Sequence, residues 1–358
     1  MRSPALRHVL THLITPLLMC LGMGLAYMGA FVHPEPNHMP VAVVGAGPEA
    51  KVLAQTIKDT AGDRLDVRTV PTRAEAVGLL KSRTVTGAYV PSARTPELIV
   101  AGAASDMGAT AVEQVFTPVA EKQGVPLEVT DVARPVADDP TGQGLFFLLI
   151  AVSIGSYTSV AALGAAGGTL PMRIRALLAL GVSAVVSGIG ALLAGPVFHL
   201  AHHDLAGVWG MAWLYSAGIL LIGVGLHTFL KRWTTLTMMV LFVMLNFTSS
   251  GGLFRPELQN GFFGALHAFW NGAGFVEGIR SLLYFGGDGL GRDVTTLALW
   301  LLAGLVVIAV AALYERAGAA TPSAPGVAPD SPAALAADEE AGAAEEAADE
   351  EAEETVGV

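Results

Sequence analysis

Four potential metal ligands lie close together in this chain: His199, His202, His203 and Asp204. Zinc accepts imidazole nitrogens and carboxylates, and a catalytic zinc site also keeps one position open for water. No glutamate is placed here to act as a general base, and no second cluster supplies further ligands. The spacing therefore favours a polar loop over a metal site, and we expect no bound metal and no other cofactor.

A phosphate-binding turn is suggested by Gly45 and Gly47, which follow the apolar run VAVV. The dinucleotide-binding fingerprint also needs a third glycine and an acidic residue about 20 positions further on, and that full pattern is absent. The chain has no Gly-x-x-x-x-Gly-Lys-Ser/Thr phosphate loop, and no nucleophile with its base lies in the apolar segments. We therefore expect a plain strand-to-helix turn, no catalytic residues and no ATP-binding site.

The remaining chemistry lies in a polar, glycine-rich stretch, 246–287, between two apolar segments. It carries Glu277 and Arg280, which are three positions apart and would share one face of a helix as an ion pair. Such a pair could anchor the next apolar segment among lipid headgroups, with Trp270 and Tyr284 as interfacial aromatics. It could equally gate the outer mouth of a transport pathway. The residues alone leave both interpretations open.

The elements that must position these residues are mostly apolar. Of 358 residues, 53% are hydrophobic and only 14% are charged, which is too apolar for an ordinary soluble domain. A helix needs about 20 apolar residues to cross a bilayer. Six segments qualify: 9–32, 144–167, 176–198, 208–230, 234–250 and 294–314. The sequence thus predicts a polytopic α-helical membrane protein with six transmembrane helices in a lipid bilayer.

Lysine and arginine in the short flanking segments predict the orientation, because they concentrate on the cytoplasmic side. On one side lie Arg2, Arg7, Arg173, Arg175, Lys231, Arg232 and Arg316, whereas the short loop 199–207 on the other side has none. Both termini are therefore predicted to be cytoplasmic. The apolar core of residues 1–33 is longer than that of a signal peptide, so we expect an uncleaved anchor.

Residues 34–142 have a different character. Short strand-like runs alternate with amphipathic helical segments in the order β-α-β-α-β-β-α-β. Because the spans on both sides end on the outer face, the sequence predicts a small extracytoplasmic α/β domain between helices 1 and 2. The single cysteine, Cys20, lies in the first span, so this domain must fold without an intrachain disulfide.

The formal net charge of −11 belongs to the C-terminal end. Residues 317–358 hold 11 of the 31 acidic residues and no lysine or arginine, which leaves 20 acidic and 20 basic residues elsewhere. A segment dense in like charge and without aromatic residues cannot bury a core. We predict a disordered acidic cytoplasmic tail at 317–358. Since no domain carries a basic surface, we expect no nucleic-acid partner.

The order of these elements resembles type-2 ABC exporter permeases and the related phage-infection-protein group. In that family the fifth span leads into a serine- and glycine-rich turn, and a short re-entrant helix precedes Gly-x-Arg, a tyrosine and a glycine pair. The similar residues here are Ser249, Ser250, Gly251, Gly252, Phe254, Pro256, Gly278, Arg280, Tyr284, Gly286 and Gly287. The segment 73–91 is similar to the family's outer domain. Two family prolines are replaced by Gln259-Asn260 and Asn271-Gly272, and Asn-Gly can also turn a chain.

The resemblance implies the membrane-spanning subunit of an exporter in the bacterial cell membrane, working with a separate ABC ATPase as a homodimer or heterodimer of permeases. A re-entrant segment, 250–293, within the five-helix domain 143–316 would line the outer gate. The candidate gate residues are Ser250, Gly251, Gly252, Pro256, Glu277, Gly278, Arg280 and Tyr284. The candidate ATPase-docking residues are Arg7, Pro171, Arg173 and Arg175. The substrate would be amphipathic or drug-like. The alternative is a non-transporting surface receptor or secretion-system assembly component of the phage-infection-protein type.

Overall fold

The computed structural model describes residues 4–32 and 34–320. The predicted tail therefore lies almost entirely outside the described residues. The chain divides into the units Met1–Ala312 and Leu313–Val358, and the second contributes only the last residues of one helix to the described part. The architecture below is that of the first unit.

Most of the described part of the chain is helical. Its long helices are α1 (Pro4–Phe31), α5 (Gly144–Ala166), α6 (Met172–Leu192), α7 (Leu205–Leu230) and α12 (Leu290–Ala320). The described residues contain five helical stretches long and apolar enough to cross a membrane: Leu13–Phe31, Gly144–Gly164, Met172–Val197, Leu205–Ser249 and Leu290–Ala317.

The fourth of these stretches folds back on itself. It joins α7 to α8 (Thr234–Met239), a π-helical turn (Val240–Met244) and α9 (Leu245–Ser249). The reversal occurs at a 3₁₀ turn, Lys231–Trp233, where Lys231 has a φ of 48°. Beyond it, Met238 packs beside Gly223, and the Asn246 amide donates a hydrogen bond to the Tyr215 hydroxyl. The predicted fourth and fifth spans are therefore the two arms of a helical hairpin.

The small α/β domain has the element order that the sequence predicts. Its strands are β1 (Met39–Val44), β2 (Leu65–Val70), β3 (Gly87–Val90), β4 (Glu97–Val100) and β5 (Glu128–Asp131), and its helices are α2 (Pro48–Ala61), α3 (Arg73–Lys81) and α4 (Asp106–Glu121). The strands lie in the order β2-β1-β3-β4-β5, and only the β3–β4 pair is antiparallel. Alternate side chains of β1 enter two apolar cores, one shared with α2 and α4 and the other with α3.

Local sequence signals explain the helix starts in this domain. The Thr72 side chain accepts a hydrogen bond from the Glu75 amide at the start of α3, and Ser105 accepts one from the Gly108 amide at the start of α4. The Gly45 turn leads directly into α2, whose first residue is a proline. This is the plain strand-to-helix turn that we expected.

The stretch after α9 contains two helices, and the Gly-x-Arg of the resemblance, Gly278 to Arg280, lies in the second. A 3₁₀ turn, Pro256–Leu258, precedes α10 (Gly261–His267) and α11 (Asn271–Tyr284). The Asn260 side chain accepts hydrogen bonds from two backbone amides and so caps α10. Asn271 begins α11, so both expected proline replacements stand at helix starts.

Candidate functional site

Helix α11 holds Glu277 and Arg280 inside the protein, and every residue from Asn271 to Ser281 is buried. Glycines allow this close packing. A Cβ atom on Gly278 would overlap the Met211 side chain of α7, and one on Gly274 would press on Thr296 of α12. A helix buried on all sides is unusual for a charged sequence, because each buried charge needs a partner.

The predicted ion pair is formed. Arg280 donates from Nη1 to Oε1 of Glu277, and its Nη2 lies 3.3 Å from the backbone oxygen of Gly251. Only 3% of the Arg280 side chain and 10% of the Glu277 side chain are exposed. At this burial the pair is removed from water, so breaking it costs far more than breaking a surface pair.

Two further arginines bind the same carboxylate. Arg83, in the turn after α3, donates from Nη1 to Oε2 of Glu277 at 2.9 Å. Arg255 lies 3.4 Å from both oxygens of Glu277 and donates to Glu257 at 2.9 Å. We call Arg83, Arg255, Glu257, Glu277 and Arg280 the Glu277 cluster.

Arg83 is the most extensively bonded member of the cluster. It also donates to the backbone oxygens of Glu277 and Asp288 and to the Ser281 hydroxyl, at 2.5 to 3.1 Å. Its guanidinium group lies 5.2 Å from the ring centroid of Phe285. One side chain of the α/β domain thus fixes the C-terminal half of α11 through three hydrogen bonds and the turn after it through a fourth.

The sequence did not predict the parts played by Arg83 and Arg255. Residue 83 lies 194 positions before Glu277, and no local spacing rule relates residues so far apart. Arg255 gave a weaker signal, because with Arg280 it breaks the predicted charge bias of the outer side. An unexplained cation in a polar, glycine-rich stretch was the only clue that Glu277 has more than one partner.

The electrostatics of the cluster fix its protonation state. Burial alone raises the pKa of the Glu277 carboxyl, but the three surrounding guanidinium groups outweigh burial and lower the pKa to about 2. Burial also raises the pKa of Glu257, but the adjacent guanidinium of Arg255 outweighs burial, so the pKa of Glu257 is lowered. Both carboxylates are therefore ionised at neutral pH, and the five side chains together carry one positive charge.

The cluster joins the α/β domain to the helices. The Thr86 hydroxyl donates to Glu257 at 3.1 Å, and the Asn37 amide donates to the backbone oxygen of Glu257 at 2.9 Å. Beside these bonds, Phe254 and Leu258 are buried in the apolar core of the α/β domain. The segment that follows α9 is thus part of both regions.

A small cavity of about 150 Å³ lies against the cluster. Arg292 and Asp293 of α12 and His267 of α10 line it together with Arg83 and Glu277. The His267 ring hydrogen-bonds the backbone oxygen of Ser249 at 2.9 Å, and burial lowers its pKa, so the ring is neutral at pH 7. This cavity is too small for an amphipathic substrate and suits a few water molecules.

The other candidate gate residues surround the cluster at different distances. Ser250 is fully buried and its hydroxyl donates to the Phe247 oxygen at 3.1 Å, while Gly251 has a φ of 71° and presents its oxygen to Arg280. Gly252 packs against Phe146. Pro256 begins the 3₁₀ turn. Tyr284 lies at the other end of α11 and contacts the α/β domain.

The candidate docking residues differ in accessibility. Pro171 and Arg173 are exposed at the start of α6. Arg175 is buried, and its Nε donates to the Leu170 oxygen at 3.0 Å, so it stabilises the turn between α5 and α6. The side chain of Arg7 lies outside the described residues. The exposed part of the predicted docking surface is therefore Pro171 and Arg173.

Two histidines of the 199–204 loop stack on each other, with the ring centroids of His199 and His202 6.4 Å apart. His202 lies 3.8 Å from the Asp138 carboxylate, and both side chains are exposed. Within the described ranges, 4–32 and 34–320, no group of three or more histidine, cysteine or acidic side chains is arranged to hold a metal ion.

Comparison with known proteins does not extend this description. No protein-family model matches the chain, and no curated protein or solved structure matches it.

Proposed function

We propose that the protein is the membrane-spanning permease subunit of a type-2 ABC exporter. The observation that carries this proposal is the Glu277 cluster. It is a buried, charged junction between the α/β domain and α11, a helix with irregular backbone on both sides. Irregular backbone at membrane depth is tolerated only where protein or a water-filled cavity covers it. Here α11 is covered on all sides, as a gating element between neighbouring helices would be.

Six membrane crossings follow from the proposal. The 45-residue stretch Leu205–Ser249 would extend to about 67 Å as one straight helix, more than twice the ~30 Å hydrocarbon core. As a hairpin it supplies two crossings and returns the chain to the side of the α/β domain. That domain then lies outside the cell, both termini lie inside, and the Glu277 cluster forms the outer gate.

Energy for export would come from a separate ABC ATPase, because the sequence has no phosphate loop. The ATPase would dock on the exposed surface at Pro171 and Arg173. Six crossings are few for a pathway, so two permease subunits, identical or different, would line it together.

Co-purification tests this proposal. The tagged chain is solubilised from membranes of its own host, and the proteins retained with it are identified by mass spectrometry. We expect an ABC ATPase with the wild type and with Arg94→Glu, an exposed position in the α/β domain, but not with Arg173→Glu. Recovery of secretion-system components without an ATPase would instead support the receptor or assembly function.

Cysteine labelling tests the orientation. In a Cys20→Ser background, a membrane-impermeant reagent should label Ser92→Cys in intact cells and Thr235→Cys only after permeabilisation. Both positions are exposed. The opposite pattern would reverse the topology and rule out an outer gate at Glu277.

A further inference from the structure

A second pocket, of about 470 Å³, opens where α7 ends and α8 begins. Met211 packs beside Gly278 near the Glu277 cluster, and Lys231 follows the last residue of the same helix. At 1.5 Å per residue the two positions are roughly 30 Å apart, about the thickness of a hydrocarbon core. The pocket and the cluster therefore lie at opposite ends of the helix bundle.

Positive charge in this pocket is not compensated. Lys231, Arg232 and His227 line it, and no acidic side chain does. Neither Lys231 nor Arg232 forms an ion pair with any described residue, although the Arg232 guanidinium lies 5.4 Å from the ring centroid of Trp233. Two adjacent cations repel each other, and an anion bound between them would remove that repulsion.

The pocket also offers hydrogen-bonding groups that nothing else occupies. The hydroxyl groups of Tyr157 and Thr235 and the ring of His227 have no hydrogen-bond partner among the described residues. Together with the two cations they form a set of donors of the kind that phosphate oxygens accept. A group of cations and hydroxyls without acidic side chains suits the oxygens of a phosphodiester.

The rest of the lining is apolar. Val160, Ala161 and Met238 form one wall, and the large aromatic side chains of Phe229 and Trp233 are exposed on either side of the turn. Aromatic residues at such positions mark the membrane interface. The pocket therefore sits where headgroups meet acyl chains.

We propose that this pocket binds the headgroup of an anionic phospholipid. Lys231 and Arg232 contact the phosphodiester, the hydroxyl groups and His227 complete its hydrogen bonds, and an acyl chain leaves along the Val160 wall. Inorganic phosphate shares the headgroup chemistry but has no apolar part to use that wall, so lipid is the occupant. Basic pockets between transmembrane helices are known sites for such headgroups.

The test measures thermal unfolding of the full chain in detergent while lipid is titrated. Phosphatidylglycerol should raise the melting temperature of the wild type, whereas phosphatidylcholine and inorganic phosphate at matched concentrations should not. The variant Lys231→Gln/Arg232→Gln should need roughly 25-fold more phosphatidylglycerol, about fivefold for each charge removed. Arg316→Gln, which removes an exposed cation near the end of α12, should respond like the wild type.

Native mass spectrometry provides a second readout of the same complex. The wild type should retain phosphatidylglycerol, and the double variant should lose it. An unchanged titration in the double variant, or an equal loss in Arg316→Gln, would overturn the site. A shift of the same size with inorganic phosphate would show that the occupant is a free anion and not a lipid.

Discussion

The two ends of the helix bundle treat charge in opposite ways. In the Glu277 cluster, three arginines and two glutamates are almost fully buried, and each one is paired. In the pocket at the α7–α8 turn, Lys231 and Arg232 are exposed and have no acidic partner among the described residues. A buried charge needs an oppositely charged partner within the chain, whereas an exposed charge is solvated by water and stays available to a ligand. The first arrangement stabilises the fold, and the second offers a binding site.

The largest effect should come from Glu277→Gln. This change leaves the buried guanidinium groups of Arg83, Arg255 and Arg280 facing one another with a single carboxylate among them. Removing one partner of a buried ion pair costs about 3 to 5 kcal/mol. Thermal unfolding in detergent measures this loss of stability. The control is Glu113→Gln on the exposed face of α4, whose free energy of unfolding should stay within about 0.5 kcal/mol of the wild type. Equal effects would show that the cluster is not a source of stability.

Acid should destabilise the cluster in a defined range of pH. The pKa of Glu277 is lowered from 4.5 to about 2 in the folded chain. Its contribution to the free energy of unfolding is therefore complete above pH 4.5 and is lost as the pH falls towards 2. That contribution is about 3 kcal/mol, at 1.36 kcal/mol per pKa unit. Glu277→Gln should flatten the melting temperature across this range, and a parallel decline in both proteins would assign acid lability elsewhere.

Arg280→Lys distinguishes a buried network from an anchor at the headgroups. Arginine bonds Glu277 through one nitrogen and Gly251 through another, and a single ammonium group cannot reach both. We expect a loss of about 1 to 3 kcal/mol in the free energy of unfolding, the cost of an unsatisfied buried group. If Arg280 only anchored α11 among lipid headgroups, lysine would serve as well, and the variant would melt with the wild type.

A comparison of two arginines within the α/β domain isolates the effect of burial. Arg83→Gln removes donors to the buried Glu277 and should cost about 1.5 to 3 kcal/mol. Arg73→Gln removes a bidentate pair with Glu97, but the Arg73 side chain is 49% exposed, so its loss should cost at most about 1 kcal/mol. Thermal unfolding compares the losses of stability in the two variants. Hydrogen exchange should show opening of α11 only for Arg83→Gln. The reverse ranking would mean that the domain is held by other contacts.

The local parts of this structure could be predicted from the sequence, and the junction between them could not. The order of strands and helices in the α/β domain follows from short apolar runs, helical spacing and capping residues such as Thr72 and Ser105. The pairing of Glu277 with Arg280 follows from helical spacing alone. Arg83 reaches the same carboxylate across 194 positions, and only the packing of the whole chain determines such a contact.

Helical content inside the polar stretch was also harder to predict. Glycines such as Gly272, Gly274 and Gly278 lower helix propensity, so propensity alone does not predict a helix as long as α11. In the structure each one allows α11 to approach a neighbour, because a Cβ atom would overlap Asn246 or Met211, or press on Thr296. Tertiary contacts therefore override propensity here.

The smallest effect should be a gain in stability, at Lys231. This residue has a φ of 48°, a conformation that glycine adopts without steric cost and that other residues hold only with strain of about 1 to 3 kcal/mol. Glycine also loses more conformational entropy on folding, by roughly 0.5 to 1 kcal/mol, so Lys231→Gly should stabilise the lipid-free protein by about 1 kcal/mol. Lys231→Ala keeps the strain and should bring no gain.

Both variants should weaken binding of phosphatidylglycerol equally, because each removes the same charge. Thermal unfolding with and without lipid separates the two quantities. At the Glu277 cluster, loss of a charge should lower stability. At this pocket, loss of a charge should lower the affinity for lipid, and Lys231→Gly should gain stability. A loss of stability in Lys231→Gly would show that the Lys231 side chain stabilises the fold.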